Sequence, residues 1–276
     1  MSRTVLRAKA AGFCFGVQKA IDRAEQESEA TIFGSLIHNP QEVARLDALG
    51  KHIVTDLDKI RGGKVFITAH GLEVARIAEI RGRGLEIVDT TCPLVTHIYR
   101  SGLKLEAQGL RVVVIGDPRH VEVRGIASRL KDPILVFEEA DLERVPQGSR
   151  VGVVSQSTLT SEKFDRFVSL LNARCAEVQA INTICKPTKD RQAAARELST
   201  KVETMVVIGG RNSSNTHKLA EVAAEALGET NTHHIETASE LDGSWFEGRN
   251  VVGVCAGAST PDYLIEEVIR SIEALP

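Results

Sequence analysis

The chain has 276 residues, 42% of them hydrophobic and 26% charged, with a formal charge of −3. That composition fits a globular protein long enough for one large domain or two to three small ones. It supplies no basic footprint for nucleic acid or an anionic membrane. No apolar stretch approaches the roughly 20 residues of a membrane span, and the start lacks the apolar core and cleavage site of a signal peptide, so the expectation is a cytoplasmic protein.

In chain order, the pattern is strand, polar loop, helix, repeated. Ala11-Gly-Phe-Cys-Phe-Gly-Val17 opens a helical pattern over 16–30, and Ile37-His-Asn-Pro40 precedes another over 41–49. An apolar run at 65–68 leads through Thr68-Ala-His-Gly71 into a helix over 73–81. Asp89-Thr-Thr-Cys-Pro-Leu-Val95 then opens a helix over 94–107. A strand over 112–115 leads into the loop 116–122, which carries His120 and Glu122, and a strand over 151–154 leads into Ser155-Gln-Ser-Thr158 and a helix over 161–173. Asn182-Thr-Ile-Cys-Lys-Pro-Thr188 comes before a helix over 189–202. Strands over 205–208 and 251–254 are followed by Gly209–Asn215 and Ala256-Gly-Ala-Ser-Thr260, with helices over 215–226 and 263–274. Such alternation implies parallel sheets covered by helices. Its recurrence divides the chain into α/β units over 12–92, 93–185, and 186–276 with 1–11.

Five cysteines, at 14, 92, 175, 185 and 255, make an odd number with no Cys-x-x-Cys pair. A disulfide framework, a zinc ribbon and a ferredoxin-type run are therefore not indicated. Cys14, Cys92 and Cys185 recur at the same place in three successive thirds of the chain, each opening a helix. There the unpaired N–H groups and the positive end of the dipole favour a thiolate. If the units pack around a common axis, three thiolates converge on one soft-metal or iron–sulfur site with an open fourth position. The alternative for any one of them is a small buried hydrophobe, the role assigned to Cys175 and Cys255.

The run Ser213, Ser214, Asn215 supplies more small polar groups than one helix cap needs, which points to phosphate oxygens as partners. His38, His70 and His120 each follow a strand. Their spacing matches no zinc motif, and they suit hydrogen-bond donation to a diphosphate. His52, His97, His217, His233 and His234 read as surface residues. Glu122 is either a charge favouring a helix N-terminus or a proton donor, needed if the chemistry expels a hydroxyl group. With no Walker or Gly-x-Gly-x-x-Gly motif, nucleotide binding is not indicated. A non-redox phosphate-binding module and a zinc hydrolase remain as competing classes.

Taken in order, these motifs resemble the 4-hydroxy-3-methylbut-2-enyl diphosphate reductase (LytB) family over essentially the whole chain. The resemblance adds Gln156-Ser-Thr158, Arg191-Gln192 and Pro261-Asp262 to the stretches above. It implies a trefoil of three α/β units around a central four-iron, four-sulfur cluster, one per chain. Cys14, Cys92 and Cys185 would ligate three irons, leaving one open to substrate. The implied reaction is a two-electron reductive dehydroxylation of an allylic diphosphate to isopentenyl and dimethylallyl diphosphates, the last step of the non-mevalonate pathway. His38, His70, His120, Ser213, Ser214, Asn215 and Ser259 would hold the diphosphate. Glu122 would feed a proton to the leaving hydroxyl, with Ser157 or Thr158 beside it. A ferredoxin or flavodoxin would supply electrons. Where the family usually has Pro, Thr and Thr, this chain has Val121, Ser157 and Cys255, and an accessible thiol at 255 would make its strand oxidation-sensitive.

Overall fold

The computed structural model describes residues 3–27 and 30–275. In chain order its first elements are β1 (Thr4–Arg7), α1 (Phe15–Glu25), β2 (Ala30–Phe33), α2 (Pro40–Ala48), β3 (Lys51–Val54), β4 (Lys64–Ile67), α3 (Val74–Gly82), β5 (Glu86–Asp89) and α4 (Pro93–Ala107). There follow β6 (Arg111–Ile115), α5 (Val121–Ala127), β7 (Ile134–Val136), β8 (Arg150–Ser155), α6 (Ser161–Arg174), β9 (Glu177–Ala180) and α7 (Lys186–Ser199). The last elements are β10 (Thr204–Ile208), α8 (Ser214–Leu227), β11 (Thr232–Ile235), β12 (Val251–Ala256) and α9 (Asp262–Ala274). None of the described helices is long and apolar enough to cross a membrane.

Among the described residues the strands form three four-stranded sheets, ordered β3-β2-β4-β5, β7-β6-β8-β9 and β1-β12-β10-β11. Every pairing is parallel. Numbered within its own sheet, each follows one order, 2-1-3-4. In the last sheet the fourth place is taken by β1, which pairs with β12 from Thr4↔Val251 to Arg7↔Val254. The α/β class with pseudo-repeated parallel sheets is thus the one expected from the sequence.

Central strands read as unbroken apolar runs because helices cover both faces. In β6 every residue from Val112 to Ile115 is buried, and β10 is buried from end to end. Edge strands such as β9, Glu-Val-Gln-Ala, are short and half exposed, a composition that resists edge-to-edge pairing.

Two expected helix limits move. The helix expected over 16–30 ends at Glu25, and Ala30 opens β2. The acidic stretch at 25–29 has helix-forming composition, but β-branched Thr31 and Ile32 enter a sheet whose burial outweighs local propensity. The helix expected from 189 starts at Lys186, because Pro187, with its fixed φ and missing N–H, is at home in a first turn.

The chain divides into two compact units. A terminal unit comprises Met1–Gln18, His38–Ala44 and Lys186–Pro276, and a central unit comprises Lys19–Ile37 and Arg45–Cys185. The terminal unit holds the sheet of β1, β12, β10 and β11, with apolar clusters on both its faces. The central unit holds the other two sheets.

Candidate active site

The loops that carry the expected site residues all follow carboxyl ends of parallel strands, where doubly wound sheets place their ligands. Their positions repeat. After the fourth strand of each sheet comes a cysteine: Cys14 after β1, Cys92 after β5, Cys185 after β9. After the first strand come His38, His120 and Ser213–Asn215, and after the third come His70, Ser157 and Ser259. First and third strands are neighbours in every sheet, so their loops emerge at the point where the strand order reverses.

In the central unit, His120 is the N-cap of α5, its Nδ1 accepting the Glu122 N–H at 3.1 Å. Glu122 therefore lies in the first turn of a helix rather than in the loop expected for it. Val121 fills the N1 position, so the helix starts without the family's usual proline there. The Glu122 carboxylate is 1% exposed. One of its oxygens accepts the Ser157 N–H at 2.6 Å and the other accepts the Ser157 hydroxyl at 2.7 Å. Gly116 permits this approach, because a Cβ there would lie 2.7 Å from a Val123 methyl and 2.8 Å from the Gln156 Cβ.

Burial pushes the His120 imidazole below its ordinary value, against the pull of the Glu122 and Asp117 charges. With Nδ1 accepting, the neutral ring carries its proton on Nε2 and is a donor there. The His70 ring meets it edge to face, centroids 5.6 Å apart. Two cysteines flank this group. Cys92 is the N-cap of α4 and donates its N–H to Ala69 O at 2.9 Å, beside His70. Cys185 donates its N–H to Ser157 O at 3.0 Å. Thr158 is half-buried next to Ser157. The central unit thus brings together Cys92, Cys185, His70, His120, Glu122 and Ser157.

In the terminal unit, the Cys14 N–H donates to Ala258 O at 3.0 Å, next to Ser259. The Ser259 hydroxyl donates to His38 O at 2.9 Å. Ser213 is the N-cap of α8, its hydroxyl oxygen accepting the Thr216 N–H at 3.3 Å. Ser214 is half-buried. Asn215 is 4% exposed, and neither polar atom of its amide has a hydrogen-bond partner among the described residues. A buried amide that lacks partners carries a desolvation cost, which a bound polar ligand would offset. This unit gathers Cys14, His38, Ser213, Ser214, Asn215 and Ser259.

Three supporting residues escape a reading of types and spacings alone. Asn39 is fully buried, its Oδ1 accepting the Glu42 N–H at 2.8 Å. Gln156 is buried and accepts the Asp117 N–H at 3.2 Å. Arg191 donates to Gly12 O at 2.6 Å, two residues before Cys14. All three lie in stretches that match the family, which was their only signal. Two histidines read as surface groups are tied to the loop before Ser213, and of these His217 is exposed as expected. The His234 ring nitrogen bonds Gly209 O at 2.8 Å and His217 bonds Arg211 O at 2.5 Å.

Among the described residues no three His, Cys, Asp or Glu side chains are gathered as for a single metal ion. A polynuclear cluster makes a different demand, since its inorganic core holds the thiolates apart. The donor chemistry fits such a group. Cys14, Cys92 and Cys185 are half-buried thiols outside any disulfide, each at the start of a helix where bound negative charge is stabilised. Cys255 contrasts with them. It is 1% exposed and burial pushes its thiol up to about 12, so the oxidation-sensitive role considered for it is not supported. Cys175, the C-cap of α6, packs on the core between β8 and α6.

A family profile described as LytB protein matches residues 5–273. A relative from Geobacter sulfurreducens named 4-hydroxy-3-methylbut-2-enyl diphosphate reductase is 44% identical over 274 residues, covering 98% of this chain and 96% of its own. One of the same name from a Nitratiruptor species is 39% identical, with 97% and 98% covered. A solved structure of (E)-4-hydroxy-3-methyl-but-2-enyl diphosphate reductase, described as the terminal enzyme of the non-mevalonate pathway, has a TM-score of 0.71 at 38% identity, covering 98% of this chain and 99% of its own. A solved structure of the E-1-hydroxy-2-methyl-but-2-enyl-4-diphosphate reductase from Plasmodium falciparum shares the fold, with a TM-score of 0.89 at 24% identity over 98% of this chain and 88% of its own. Matched from one end to the other, the chain belongs to the LytB protein family.

Proposed function

We propose that this chain reduces 4-hydroxy-3-methylbut-2-enyl diphosphate, removing its hydroxyl group as water to give isopentenyl and dimethylallyl diphosphates at the end of the non-mevalonate pathway. The observation that carries the reading is the buried Glu122–Ser157 pair beside His70 and His120. It supports the reading because a buried carboxylate lies beside two imidazole rings, at the loops where the family motifs fall.

The residues divide the work. His38, His70, His120, Ser213, Ser214, Asn215 and Ser259 bind the diphosphate through imidazoles, hydroxyls and an amide. That binding energy is remote from the reacting carbon and serves to orient it. Glu122, once protonated, passes its proton through the Ser157 hydroxyl to the departing oxygen. The hydroxyl is already bonded to the carboxylate, so donor and acceptor exchange along one short chain. Thr158 helps to position that chain.

Cys14, Cys92 and Cys185 hold an iron–sulfur cluster, in this reading a four-iron, four-sulfur one with a single iron lacking a cysteine. When bound it supplies the two electrons and a Lewis-acidic centre for the substrate oxygen. The electrons come from an external donor such as ferredoxin or flavodoxin, and the enzyme works in the cytoplasm. Of the three α/β units, 12–92 contributes Cys14 and Cys92, 93–185 contributes Cys185, and 186–276 with 1–11 contributes none of the three.

Turnover of the allylic diphosphate with a chemical reductant, by protein purified without oxygen, tests this proposal. The proposal predicts both five-carbon diphosphates as products. Phosphate release without reduction would instead favour the hydrolase class.

A further inference from the structure

Arg129 lies at the centre of a seam inside the central unit, between the segment following His70 and helix α5. Its Nη1 donates to Leu72 O at 2.9 Å and to Gly125 O at 2.5 Å, joining the two backbones through one nitrogen. Two further bonds close the seam. Arg124 Nε donates to Glu73 at 2.9 Å, and the Val74 N–H donates to the Ser128 hydroxyl at 3.1 Å.

The Arg129 guanidinium is stacked on Tyr99 of α4, 3.8 Å from the ring centroid. Stacking of this kind fixes the plane of the fork and so the direction of its bonds. Tyr99 is 7% exposed, and its hydroxyl, without a hydrogen-bond partner among the described residues, is wedged against Gly71. A Cβ at Gly71, whose φ is +80°, would lie 2.0 Å from that oxygen, and one at Gly125 would lie 3.0 Å from it. The ring thus fills a slot that only two glycines leave open, one beside His70 and one three residues after Glu122. Cys92 is the N-cap of helix α4 itself.

We propose that Arg129, held by Tyr99, is a positioning residue that sets His70 against His120 and Glu122, and so tunes the grip on the substrate's diphosphate. It contributes no bond to the substrate. This rests on the reading of His70 and His120 as diphosphate ligands.

The test measures KM and kcat of the oxygen-free holoenzyme and its Kd for inorganic diphosphate, with Tm recorded alongside. Arg129→Ala and Arg129→Lys should both raise KM and Kd about tenfold with kcat within about twofold of wild type, because a misplaced binding group weakens ground and transition states alike. Tyr99→Leu should do the same, and Tyr99→Phe should behave as wild type, since the ring does the holding. Unchanged KM and Kd in Arg129→Ala, with only Tm lowered, would overturn the proposal, as would full rescue by lysine, which would make charge rather than direction the cause. A His70→Ala variant binding diphosphate normally would remove the underlying reading. Weak binding by that variant beside normal binding by the Arg129 variants would overturn the clamp alone.

Discussion

In the proposed reaction, Glu122 carries the proton transfer. Both its oxygens accept from Ser157, a charge-assisted pairing with the carboxylate taken out of water. Glu122→Gln removes the transferable proton and turns an amide donor toward a donor. It should lower kcat by about 10²- to 10⁴-fold, the range for loss of a general acid, while leaving iron content unchanged. Near-normal kcat would remove Glu122 from the proton route. His120 gives a pH dependence of stated sign. Its folded-state value lies below the ordinary 6.5, so its stabilising contribution is complete above that value and is lost as pH falls through the folded one. Protonation also converts Nδ1 from acceptor to donor, against the Glu122 N–H. Melting temperature measured from about pH 7.5 down to about 5 should therefore fall, with a shallower slope in His120→Ala. Glu122 and His120 were legible in the sequence as types in a loop. The Ser157 partnership was not, because residues 35 apart in the chain announce no contact.

Helix starts place nearly every site residue, and they can be tested as elements. Ser213→Ala removes the α8 cap and should cost about 1 kcal/mol of stability, with a rise in KM, since the same residue faces the proposed diphosphate. Calorimetry and steady-state kinetics on the one variant read both effects. At the meeting of the β6 and β8 loops, Gly116→Ala drives a methyl into Val123 and Gln156. It should cost about 1–3 kcal/mol and lower kcat by prising Ser157 from Glu122. The inner strands other than β2 were legible as apolar runs, and most helices through their periodicity. What stayed hidden were the edge strands, where Glu86-Ile-Val-Asp89 and Glu177-Val-Gln-Ala180 carry too much polar character to stand out. The early end of α1 was hidden as well, since an acidic tail of good helix formers runs on to the start of β2.

Across the whole molecule, one strand order used three times explains why three cysteines, three first-strand loops and three third-strand loops recur at equivalent places. The recurrence was visible as spacing, but the order was not. It depends on which strands pair, and the last sheet is completed by the chain's opening strand, β1, beside β12. Burial separates the cysteines into two kinds. Cys14, Cys92 and Cys185 are half-buried at helix starts, whereas Cys255 is sealed within a strand and Cys175 packs on a core. On the proposed function, the first three alone hold an iron–sulfur cluster. Iron and acid-labile sulfide, assayed per chain after oxygen-free purification of wild type and five single Cys→Ser variants, test it most directly. Roughly four of each should be found in wild type and in the Cys175 and Cys255 variants, with loss or degradation in the other three. Undiminished iron and sulfide after replacing Cys14, Cys92 or Cys185 would contradict it.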